Sequence, residues 1–137
     1  SSEFDKKGLP IIGLINEWTK DGKKIKGTET DLGGTMRLGS YDAKLKENSM
    51  IKKNYNKNLI KERHRHRYEV NIAYKEKFEK NGMLFSGLSP DGKLPEIIEL
   101  KNHPWFIGVQ FHPEFKSRPL SPHPLFSSFI KASKNHK

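Results

Sequence analysis

The chain has 137 residues, carries 26 Lys and Arg against 16 Asp and Glu for a net charge of +10, and is 33% apolar, which suits one domain with a thin core. It contains no cysteine, so a disulfide scaffold, a Cys-ligated zinc or iron–sulfur site and a thiol nucleophile within this stretch are excluded. No apolar run approaches the roughly 18 residues that read as a membrane span, no charged start leads into a secretory apolar stretch, and cytoplasmic residence is the expectation.

Leu9–Trp18 is an apolar, β-branched run that reads as a strand. Asp21-Gly22 then reads as a tight turn into Lys23–Lys26, because glycine tolerates the positive φ such turns need. Leu32–Tyr41 holds Gly33-Gly34 and Gly39 around a short candidate strand, and Lys44–Lys61 reads as loop with some helix. Glu62–Val70 reads as extended, and Asn71 as the cap of a helix over Ile72–Lys80 that Asn81-Gly82 ends. Met83–Leu88, the turn Ser89-Pro90-Asp91-Gly92 and Pro95–Leu100 form a second hairpin. Trp105–Phe111 is nearly all apolar, the pattern of a strand covered on both faces. After His112-Pro113 and a proline-rich loop, a terminal helix is expected over Leu125–Ser133, with Leu125, Phe126, Phe129 and Ile130 on one apolar face. Strands mixed with amphipathic helices and hairpins predict an α/β fold with antiparallel additions.

Two constellations carry chemistry. In Phe111-His112-Pro113-Glu114 the histidine sits where a strand runs out, the place where open α/β sheets put their ligands. In a locally extended chain, residues two apart point to the same side. Glu114 can then accept from Nδ1–H of His112 and orient it as the general base of a nucleophilic triad. The same triplet also describes a strand-end histidine bonded to its neighbour. No Gly-x-Ser-x-Gly elbow is present, so the nucleophile is expected outside this chain. The second constellation is Arg63-His64-Arg65-His66-Arg67, whose extended form puts the arginines on one face. An arginine there suits a carboxylate ligand. His64 and His66 also fit the His-x-His spacing of metal sites, and the segment reads equally as a solvated basic strand. Lys supplies 21 of the 26 positive residues and is dispersed, which points to a solvated surface rather than a nucleic-acid interface. Leu32–Gly39 lacks the Walker lysine and the dinucleotide glycine spacing.

Taken together, DLGGTMRLG (31–39), ERHRHRYEVN (62–71), NHPWFIGVQFHPEF (102–115) and HPLF (123–126) resemble the C-terminal glutaminase domain of the CTP synthases, over about Ser1 to Lys134. The resemblance implies a partial class I glutamine amidotransferase sheet (flavodoxin-like) with antiparallel hairpins, residues 1–137 being the C-terminal portion of that domain. It implies His112 as general base, Glu114 as its orienting acid, and Arg67 and Glu3 as contacts to the substrate glutamine. It further implies a cysteine nucleophile upstream, with the oxyanion-hole amides on the same elbow. The family's separate synthetase domain uses ATP and Mg²⁺ to aminate UTP with the released ammonia, and the parent is expected to be a homo-oligomer, a tetramer. On this reading the chain by itself has no glutaminase activity, and it takes no membrane or nucleic-acid partner. The alternatives are another class I glutaminase or a γ-glutamyl hydrolase sharing only the FHPE element, or a non-enzymatic basic nucleic-acid-binding module.

Overall fold

The computed structural model describes Ser1, Leu9, residues 11–14 and residues 36–136. In chain order these form β1 (Ile12–Leu14), β2 (Arg37–Leu45), α1 (Met50–Tyr55), β3 (Leu59–His66) and β4 (Tyr68–Val70). A 3-10 turn (Ile72–Tyr74) then runs into α2 (Lys75–Lys80), followed by β5 (Met83–Leu88), β6 (Pro95–Leu100) and β7 (Ile107–Val109). A second 3-10 turn (Pro113–Lys116) and α3 (Pro124–Asn135) complete the order. Five strands make one sheet, ordered β3-β2-β5-β6-β7, and β1 pairs with β4 in a second. Every pairing among the described strands is antiparallel. The fold is therefore mixed α/β, and its described sheet is built from the hairpin additions.

Local chemistry explains most boundaries. Ser49 caps α1 by accepting from Lys52 N at 3.2 Å, and Asn56 ends the helix in the left-handed region at φ 52°. Glu99, on β6, adds a second cap: its two oxygens accept from Met50 N at 2.9 Å and Ile51 N at 2.8 Å. Asn71 accepts from Ala73 N at 3.0 Å, as its capping role requires. The β5–β6 hairpin closes with Gly92 at φ 75° and its amide on Ser89 O at 2.8 Å. Ala43, Leu45, Ile51, Ile60, Ile97, Phe111 and Leu125 form the core cluster. Burying an aliphatic side chain as completely as Ile51 contributes about 1.5–3 kcal/mol.

Four expectations need correction. The candidate strand within residues 32–41 continues as β2 to Leu45, and β3 begins at Leu59, so the polar middle is shorter than it reads. Lysines at solvent-facing strand positions (Lys44 in β2, Lys61 in β3) made paired segments look like loop. The apolar Trp105–Phe111 run yields only Ile107–Val109, half-buried, at an edge of the sheet and paired to β6. Its hydrophobicity serves packing of Trp105, Ile107, Val109 and Phe111 on the core rather than a strand covered on both faces. In α3 only Leu125 is buried, while Phe126, Phe129 and Ile130 are 41%, 48% and 58% exposed. Residues 113–116 form a 3-10 turn, not extended chain. The first hairpin, at Asp21-Gly22, and the glycine pair Gly33-Gly34 lie outside the described residues.

Candidate active site

His112 follows the buried Phe111 and precedes Pro113. Proline disfavours the helical region for its predecessor, and His112 is extended at φ −109°, ψ 90°. Its amide donates to Arg63 O at 2.8 Å, tying the site to β3, and its carbonyl accepts from Phe115 N at 3.2 Å, closing the turn. That turn brings Glu114 back over the ring, and His112 Nδ1 lies 2.7 Å from Glu114 Oε1. The contact expected from the spacing thus forms, through the turn rather than through an extended chain. An ionised carboxylate only accepts, so Nδ1 carries the proton and Nε2 presents a lone pair. The hydrogen bond from His112, with a smaller backbone contribution, holds the Glu114 carboxyl below the ordinary carboxylate value. Phe115 stacks on the imidazole at 5.0 Å and 21°. Both members of the pair remain accessible, at 37% and 55% side-chain exposure, as a group meeting a substrate must be.

Arg67 occupies the one residue between β3 and β4, where the chain leaves the large sheet for the small one. It is half-buried, and among the described residues its guanidinium has no hydrogen-bond or ion-pair partner. It stands four positions after Arg63, the backbone partner of His112, which is at most about 14 Å of extended chain. The alternation expected in this segment holds within β3, where Arg63 and Arg65 face solvent while His64 is buried, but not for Arg67, which lies beyond the strand. Burial, with the charges of Arg37 and His66 adding to it, pushes the His64 imidazole down to about 3, so it is neutral. Among the described residues no acidic or histidine side chains join His64 and His66 in a metal-binding group. Glu3 lies outside the described residues.

Sequence reasoning missed two buried polar clusters beside these residues. In the first, Glu69 is fully buried and accepts from His66 Nε2 at 2.8 Å, Arg37 Nη1 at 3.1 Å and Gln110 Nε2 at 2.8 Å. Burial alone would raise its carboxyl; the hydrogen bond and charge of His66, with Arg37, outweigh burial and hold it low. Glu96 faces Arg37 Nη2 at 2.8 Å and His64 Nε2 at 3.7 Å. There burial wins, and the Glu96 carboxyl is raised despite the arginine. In the second cluster Glu62 meets Tyr55 Oη at 3.1 Å, His123 Nε2 at 3.3 Å and Lys116 Nζ at 3.3 Å. Lys116 belongs to the turn bearing Glu114, so this contact fastens that turn to β3. His123 also accepts from Leu125 N at 3.3 Å through Nδ1, capping α3 and leaving Nε2 as the donor. Inward-facing parity with Ile60 was the available signal for Glu62 and His64.

The family model for "Glutamine amidotransferase class-I" matches residues 8–132. Over all 137 residues the chain is 88% identical to the CTP synthase of Pelagibacter ubique, covering 26% of that protein. It is 63% identical to the CTP synthase of Hyphomonas neptunium over 134 residues, covering 97% of this chain and 25% of that protein. The chain thus spans about a quarter of the length of these relatives. The solved glutaminase domain of Trypanosoma brucei CTPS with bound acivicin superposes with a TM-score of 0.81 at 33% identity, over 100% of this chain and 51% of that one. Because the likeness runs far beyond the Phe-His-Pro-Glu element, neither a γ-glutamyl hydrolase nor a nucleic-acid-binding module is favoured.

Proposed function

The chain belongs to the class I glutamine amidotransferase family, and on that premise we propose that it is the C-terminal part of the glutaminase domain of a CTP synthase. In this role it helps release ammonia from glutamine for the ATP-dependent amination of UTP. The observation that carries the reading is the 2.7 Å contact of His112 Nδ1 with Glu114 Oε1 at the accessible end of the β7 segment. With Nδ1–H held by Glu114, Nε2 accepts the proton of an attacking thiol and later returns it to the leaving amine. Glu114 fixes the tautomer and stabilises the imidazolium. Arg67, half-buried and without an acceptor among the described residues, suits the α-carboxylate of glutamine as a bidentate ligand. Glu3 is proposed as a contact to the same substrate.

The chain has no cysteine, so the thiol comes from another part of the polypeptide, and these residues alone do not hydrolyse glutamine. Phe126, Phe129 and Ile130, exposed on α3, support packing against further chain. ATP and Mg²⁺ serve the synthetase domain: Glu69 and Glu99 spend both oxygens on protein donors, and Glu62 and Glu96 face the cations Lys116 and Arg37, which does not fit a metal–phosphate site. A cytoplasmic homo-oligomer is the proposed setting; no helix among the described residues is long and apolar enough to cross a membrane.

The test is His112→Ala in the full-length protein. CTP formation from glutamine is expected to fall at least about 10³-fold, in line with loss of a triad member, while CTP formation from added ammonia is retained. Equal loss with both nitrogen sources would overturn the assignment of His112 to glutamine hydrolysis.

A further inference from the structure

We propose that Glu69, acting with Gln110, is the positioning residue that sets Arg67 against His112; the inference rests on the glutaminase reading above. Arg67 sits where the chain changes sheets, with no strand-pairing partner among the described residues, and such a residue is only as well placed as the segments that flank it. One carboxylate ties the chain just before Arg67 to the chain just after it. His66, immediately before Arg67, bonds to Glu69 Oε1 at 2.8 Å, and Glu69 itself lies two residues after Arg67 on β4. Arg37, opposite His66 in the β2–β3 register, bonds to the same oxygen at 3.1 Å and anchors the bend to the large sheet. The other oxygen, Oε2, accepts from Gln110 Nε2 at 2.8 Å.

Gln110 stands two residues before His112 and is itself immobilised: its amide N donates to Glu96 O at 3.0 Å and its Nε2 also reaches Pro95 O at 2.7 Å. Glu69 therefore joins the segment carrying the carboxylate-binding arginine to the segment carrying the base. The Glu69 end of the link is fully buried and Gln110 is half-buried, and a buried charged group makes a strong hydrogen bond whose lost partner is costly. A glutamine held by Arg67 at one end and presented to a thiol beside His112 at the other depends on that spacing, because displacements near 1 Å cost on the order of 10²-fold in rate.

Gln110→Leu in the full-length protein cuts the link while leaving the Arg37–Glu69–His66 contacts in place. The KM for glutamine is expected to rise at least about tenfold, with ammonia-dependent CTP synthesis unchanged. Glu69→Gln, which keeps the shape but supplies only one acceptor, is expected to repeat the effect. Each change is then placed in an Arg67→Lys background. Action through Arg67 predicts that a substitution already damaging at Arg67 leaves Gln110→Leu little to add, under about twofold, because coupled positions are not additive. An unaltered glutamine KM in Gln110→Leu, or the same fold-change in both backgrounds, would overturn the proposal. His112→Ala run alongside separates the levels: glutamine-dependent synthesis that survives it refutes the underlying reading instead.

Discussion

His112 and Glu114 are two residues apart, and their contact creates an asymmetric imidazole, with one nitrogen committed to a carboxylate and the other without a partner among the described residues. The hydrogen bond lowers the Glu114 carboxyl, so the interaction is complete above the ordinary carboxylate value of about 4.3 and is lost as pH falls through the lowered one. Carbon-detected NMR of the Glu114 side chain is expected to show a midpoint below that ordinary value, and His112→Ala should move it upward. A midpoint indifferent to removal of the imidazole would mean that the two groups do not interact in solution. At this scale the sequence was most legible for the pair itself, since a His-Pro-Glu triplet leaves little choice of partner. Glu69 was illegible because nothing local distinguishes it from a solvated glutamate: its burial depends on Arg37, 32 positions earlier, and Gln110, 41 positions later.

The β5–β6 hairpin was readable to the residue, with its turn and both strands where the pattern put them. Less obvious is the irregularity in β5, where the register shifts around Gly87. A Cβ at Gly87 would lie 2.6 Å from Ile97 Cδ1, 2.7 Å from Cγ1 and 3.0 Å from Cβ. Ile97 is 1% exposed and belongs to the core, so it has little room to yield. Gly87→Ala is therefore expected to destabilise the fold by about 1–3 kcal/mol through overpacking, seen as a lowered denaturant midpoint. A midpoint equal to that of the parent would show that β5 and Ile97 relax freely. The helix α3 was recognised, but its burial was not: amphipathic spacing reports which face is apolar, and a neighbour must still be present to cover it.

Across the molecule, buried ionisable groups set the response to acid. His64 is held neutral with its imidazole near 3, so unfolding takes up a proton once pH falls below about 6.5, at up to about 1.4 kcal/mol per pH unit. Glu62 and Glu69, both held low against their burial by charged and hydrogen-bonding partners, contribute stability that is full above the ordinary carboxylate range. It is lost as pH falls through their lowered values. Glu96, raised by burial, opposes the trend between its ordinary and raised values. Melting temperature is thus expected to decline gently from about pH 6.5 and more steeply below about pH 4. His64→Gln should flatten the upper part of that profile. An upper slope that persists in His64→Gln would assign it to other groups.

By itself, the sequence determined the mixed α/β class, the hairpin of residues 83–100, the helical segment after Asn71 (though not that its first turn is 3-10) and the His112–Glu114 contact. All of these rest on neighbours within a few positions, where turn chemistry and side-chain parity decide the outcome. Only the tertiary structure decided which strand became an edge, which apolar face stayed uncovered and which acids were buried. Those outcomes depend on partners dozens of residues away, and the desolvation of a charge is fixed by everything packed around it rather than by the residues on either side.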